Sequence, residues 1–197
     1  MTQIDYYFST ISPFTYLAGN RLEEVAAKHG ATVKYKPLDI MALFSRTGGT
    51  PPKDRHPSRQ AYRLQEIRRQ SARTGLDINM KPAFWPANSA PSAYAIIAAQ
   101  SAGGDVGALA HAFTRACWLE DKNIAEEEVI RSLLSEHGFD PELVNSGLLT
   151  GAETFTQNLE DAIEAGAFGA PTYVVGEEVF WGQDRLDDLD LHLAGKL

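Results

Sequence analysis

Ser12-Pro13-Phe14-Thr15 follows a short apolar run, Ile4 to Phe8, and opens a helical pattern. At such a strand-to-helix turn a dithiol redox protein carries C-P-x-C; here two hydroxyls stand where the thiols would be. Hydroxyls neither form nor exchange a disulfide. The chain holds one cysteine, Cys117, so no internal disulfide forms and dithiol cycling is excluded. Cys117 lies in "AFTRACWLE", an amphipathic helical stretch, and reads as a buried structural thiol. Taken alone, Ser12 is a preferred helix N-cap and Pro13 is at home in the first helical position.

Other chemistry-bearing patterns are few. The five histidines (29, 56, 111, 137, 192) show no i, i+4 pairing, and neither H-E-x-x-H nor C-x-x-C occurs, so no metal site is expected. Without G-x-G-x-x-G or a P-loop, nucleotide cofactors lack their usual cradle. A net charge of −8 argues against nucleic acid and anionic membrane surfaces as partners. No apolar run approaches the roughly 20 residues of a membrane span. The start, "MTQIDYYFS", shows no basic and apolar leader, and the end, "GKL", is not the peroxisomal S-K-L, so the cytoplasm is the expected compartment. The arginines 59, 63, 68, 69 and 73 read as a solvated helix face, with Arg59 the candidate exception.

The elements that would position these residues come from periodicity. At 197 residues the chain fits one domain, or one with a large insertion. Residues 3–8 read as a buried strand, and Phe14, Leu17, Ala18, Leu22, Val25 and Ala26 follow helical spacing up to Gly30. Residues 32–40 alternate as a second strand, which makes a parallel βαβ unit. Residues 45–58, "SRTGGTPPKDRHPS", form a basic loop without periodicity. Helical patterns follow at 59–75, 90–104, 106–121, 125–138 and on towards 166. Residues 170–182 read as a hairpin turning at Gly176-Glu177-Glu178, before a last helix with Asp184 as candidate N-cap. The expected fold is α/β: a thioredoxin-like domain, β-α-β then β-β-α, from residues 1–44 and 167–197, interrupted by a basic loop and all-helical insertion over 45–166.

"ISPFTYLA" after the first strand, paired with "FGAPTYVVGEEVFWGQDRL" near the C-terminus, resembles the DsbA-like branch of the thioredoxin superfamily. Within it the chain is similar to the 2-hydroxychromene-2-carboxylate isomerases and the kappa-class glutathione transferases. "YRLQEIRRQSARTGL", "FWPAN" and "FTRACWLEDKNI" carry the resemblance between those ends. It implies that bound glutathione supplies the missing thiol, with Ser12 hydrogen-bonding its sulfur as the catalytic residue. "GAP" at 169–171 would be the cis-proline loop, with Ala170, ahead of Pro171, offering backbone groups to the cysteinyl part. Trp181, Gly182, Gln183 and Asp184 would receive the γ-glutamyl end; Gln183 stands where relatives have Asn or Ser. Arg59 and Glu66 stand where the kappa class has a lysine and an aspartate that hold glutathione.

On the acceptor side the resemblance implies Lys53 and Arg55 as the loop cations nearest a carboxylate. Phe44 falls near a lysine of relatives, and after "PAN", which ends at Asn88, Ser89 stands where relatives have an aromatic. The implied activity is a glutathione-dependent cis-trans isomerase of 2-hydroxychromene-2-carboxylate or a related conjugated aromatic 2-oxo acid, through transient glutathione addition, in aromatic catabolism. Two alternatives stand beside it: a kappa-class-like transferase releasing stable conjugates, and a non-catalytic module that kept the fold. The implied partners are a small aromatic carboxylate and a second copy in a homodimer.

Overall fold

A computed structural model describes all of residues 1–197. Strand β1 (Gln3–Phe8) lies at the centre of a four-stranded sheet of order β2-β1-β3-β4. It pairs in parallel with β2 (Thr32–Pro37) and antiparallel with β3 (Thr172–Val175), which turns into β4 (Glu178–Trp181). Ile4, Tyr6, Tyr7 and Phe8 are all buried, because helices cover both faces of this strand. The Tyr6 ring stacks on Phe8 and on its cross-strand neighbour Tyr173, at 4.7 and 5.2 Å between centroids.

The helical spacing after β1 belongs to two helices, not one. Helix α1 (Pro13–Ala18) stops at Gly19, whose φ of 60° and ψ of −145° leave helical space, and α2 (Arg21–His29) restarts after Asn20 and ends at Gly30 in the left-handed conformation. Ala18 and Leu22 both remain buried, so the apolar stripe runs straight across the break. β2 also ends before the expected residue 40. Asp39 accepts from the Met41 and Ala42 amides and caps α3 (Ile40–Thr47), which takes the first residues of the expected loop. Pro52–Asp54 forms one 3₁₀ turn before α4 (Pro57–Thr74).

Helices α5 (Ala90–Ser101), α6 (Gly107–Trp118), α7 (Glu127–Glu136), α8 (Leu143–Ser146) and α9 (Leu148–Glu164) follow. One contiguous cluster of 36 buried apolar residues joins the sheet to α5 and α6, so the helices share a core with the strands. Cys117 is buried within it, and burial pushes its thiol up to about 12. The last helix, α10 (Leu186–Leu193), starts two residues later than Asp184. Its N-cap is Arg185, with no side-chain cap bond, and Asp184 instead pairs with Arg185 at 3.1 Å. No helix is long and apolar enough to cross a membrane.

Candidate functional site

The N-terminal turn of α1, the 52–66 stretch and the 169–185 segment meet above the C-terminal end of β1. Ser12 Oγ accepts from the Thr15 amide at 3.2 Å and lies 3.5 Å from the Ala170 carbonyl, the limit of a hydrogen bond. Thr15 itself is buried, and its hydroxyl has no partner. The Ala170–Pro171 bond is cis. Ala170 precedes β3 and belongs to neither of its ladders, which begin at Thr172.

The 169–185 segment is tied to the sheet at several points. The Pro171 carbonyl accepts from the Gly182 amide at 2.9 Å. Trp181 is half-exposed, its indole lying so close over Gly169 that a Cβ there would sit 2.3 Å from Nε1. Gly182 has φ of 118°, and a Cβ on it would meet Asp184 Oδ1 at 2.6 Å, so only glycine fits this turn. Gln183 is buried, with its carbonyl accepting from the Arg21 guanidinium at 3.1 Å.

Two adjoining cavities open here. The larger, about 750 Å³, has α4 residues Arg59, Tyr62 and Glu66 on one side and Ala170, Trp181, Gly182, Gln183 and Asp184 on the other. The smaller, about 110 Å³, holds Ser12 among Ile40, Met41, Phe44 and Trp85. Phe14, Arg55, Arg63, Ala170 and Trp181 line both. The residues implied for glutathione are therefore gathered, with Ser12 at the inner end and Pro171 beneath the surface. Phe44 and Arg55 reach the small cavity. Lys53, Asn88 and Ser89 line neither: Lys53 is exposed on the 3₁₀ turn, the Asn88 side chain accepts from the Ala90 amide, and the Ser89 carbonyl accepts from Ser92.

Arg63, rather than Arg59, is the exception to the solvated arginine face: Arg59, Arg68, Arg69 and Arg73 are exposed and Arg63 is half-buried. Its guanidinium carbon lies 5.8 and 5.7 Å from the Phe14 and Trp85 ring centroids. Burial, helped by the charge of Arg55, lowers it to about 10. Burial and Arg59 also lower Arg55, which donates to the Thr50 carbonyl at 2.7 Å and lies over the Phe44 ring. The acids of the cleft are engaged elsewhere, Glu66 with Arg69 at 2.6 Å and Asp184 with Arg185. Arg55, Arg59 and Arg63 therefore have no ion-pair partner among the arginine bridges of the chain. Periodicity could not reveal Arg63, because its burial comes from the Trp85 segment folding back over α4.

Residues 3–194 match the family model of the DSBA-like thioredoxin domain. A 2-hydroxychromene-2-carboxylate isomerase of Pseudomonas putida is 31% identical over 93% of this chain and 90% of its own length. Glutathione S-transferase kappa 1 of Caenorhabditis elegans is 22% identical over 94% of this chain and 88% of its own. A solved structure of a 2-hydroxychromene-2-carboxylate isomerase superposes with a TM-score of 0.76 at 26% identity, covering 98% of this chain and 95% of that one.

Proposed function

The chain belongs to the DSBA-like thioredoxin-domain family and, within it, to the 2-hydroxychromene-2-carboxylate isomerases, and from that premise we propose that it is a glutathione-dependent cis-trans isomerase of conjugated aromatic 2-oxo acids. Relatives of that name support an isomerase function. The observation that carries the glutathione reading is the position of Ser12, where a hydroxyl rather than a thiol stands at the junction of a polar cleft and an aromatic pocket. The chain's one thiol is buried in α6 and held protonated, so on this reading the reacting thiol is that of bound glutathione.

The cleft suits a γ-glutamyl peptide. Asp184 and Gln183 offer polar groups for an ammonium and a carboxylate at one end, Arg59 offers a cation for the other carboxylate, and Ala170 leaves its backbone outside the ladders for strand-like pairing. Bound glutathione would supply a thiolate that adds to the conjugated carbon and leaves again, so that the double bond turns while it is single. Ser12 is arranged to favour that thiolate. Its oxygen accepts from the Thr15 amide, which polarises the hydroxyl, and its proton is held only by the long contact to Ala170 and is free to turn to a sulfur. A hydrogen bond to a charged group contributes about 1.5–3 kcal/mol, equivalent to a thiol lowered by one to two units. The acceptor would lie among Phe44, Trp85 and Phe14, between the 1–44/167–197 unit and the helices of 45–166.

Calorimetric titration of glutathione and S-methylglutathione into wild type and Ser12→Ala, over pH 6–9, tests this. The expected result is binding with proton release near neutral pH, absent with the methylated ligand and weakened in Ser12→Ala. No binding to wild type overturns it. The kappa-class relative favours one second reading, a transferase; a sulfur-bound product with net loss of glutathione would identify it.

A further inference from the structure

Arg63, half-buried between Phe14 and Trp85, pairs with no acid and hydrogen-bonds to no acceptor of the chain. Arg55, on the same wall, donates to Thr50, and Arg59 is exposed. A half-buried charge without a partner is partly desolvated, and an apolar side chain such as methionine could fill the same slot between Phe14 and Trp85. An incoming group carrying negative charge would offset that desolvation. The two rings hold the guanidinium where the small cavity meets the cleft, beside the pocket that holds Ser12. A planar guanidinium presents paired N–H groups that match a carboxylate, and the rings beside it would receive a flat conjugated body.

We propose that Arg63 is the specificity-determining residue of the acceptor pocket, selecting conjugated aromatic acceptors that carry a carboxylate over neutral ones of the same shape. The proposal rests on the functional reading above only for which cavity takes the acceptor. Arg63 neither touches the incoming sulfur nor moves a proton; it sets which acceptors are held beside Ser12.

The test needs no glutathione. trans-Benzylidenepyruvate and benzylideneacetone share ring, double bond and ketone and differ by a carboxylate in place of a methyl. Calorimetry on the wild type should show the acid binding at least tenfold tighter than the ketone. Arg63→Gln should bring the two within about twofold, Arg63→Lys should keep part of the preference, and Arg68→Gln, exposed on the same helix, should keep all of it. With glutathione added, Arg63→Gln should raise KM for the acid far more than it lowers kcat. Equal affinity of wild type for the two probes, failure of both to bind, or an undiminished preference in Arg63→Gln overturns the proposal. Should Arg63→Gln fail to fold by circular dichroism, the wild-type ratio and Arg63→Lys decide. A wild type that prefers the acid but ignores glutathione would leave Arg63 standing and remove the cofactor reading.

Discussion

Removing the Ser12 hydroxyl takes the partner of the Thr15 amide away from the first turn of α1. Ser12→Ala should therefore cost about 1 kcal/mol of stability, measured by urea unfolding, in addition to its effect on thiol binding. Arg63 should behave in the opposite sense. Arg63→Met removes a half-buried unpaired charge and fills the slot between Phe14 and Trp85, so the ligand-free protein should melt at the same temperature or higher while losing its preference for acids. A lower melting temperature would show that the guanidinium has a partner in solution. The two residues differ in how far sequence reveals them. Ser12 announces itself by the proline after it and the turn it opens. Arg63 sits in a run of arginines, and only the tertiary approach of Trp85 distinguishes it from Arg68 or Arg73.

The 169–185 segment works as a template whose shape depends on glycines. Gly169→Ala would drive a Cβ into the Trp181 indole. We expect Trp181 to swing outward, with a shift in its fluorescence, weakened glutathione binding, and a loss of about 1–3 kcal/mol in stability. Unchanged emission and affinity would mean that the loop accommodates the methyl without moving the indole. Most elements were legible at this scale, because β1, the hairpin and the long helices carry clear periods. The break at Gly19 was not, since Ala18 and Leu22 are four apart and the apolar stripe hides the change of helix. α3 was legible but obscured: Asp39 ahead of Ile40, Leu43 and Phe44 is a cap followed by helical spacing, and the alternation of β2 ran into it.

Glu23 joins α2 to two other parts of the molecule, accepting from the Tyr35 hydroxyl of β2 at 2.5 Å and lying 3.2 Å from His111 Nε2 in α6. Burial raises its carboxyl, but the hydrogen bond and charge of His111, with the Tyr35 hydroxyl, hold it below the usual range on balance. A carboxyl lower in the folded than in the unfolded state adds stability above the unfolded value, about 4.3, and loses it as pH falls through the folded value. Unfolding free energy measured from pH 7 to 3 should fall across that window, and less steeply in Glu23→Gln. An identical slope would remove Glu23 from the acid response. Phe113, fully buried in the shared core, should cost about 3–5 kcal/mol on replacement by alanine. The pairing of Asp5 with Val174 joins strands from opposite ends of the chain, and the cleft borrows walls from both. Closing so long a loop is slow in refolding, whereas the backbone hydrogen bonds within each of the helices α5 to α9 are local. In a stopped-flow refolding experiment helical signal should therefore return before ligand-binding competence, and a ribosome-bound chain still holding back residues beyond 167 should be helical yet unable to bind.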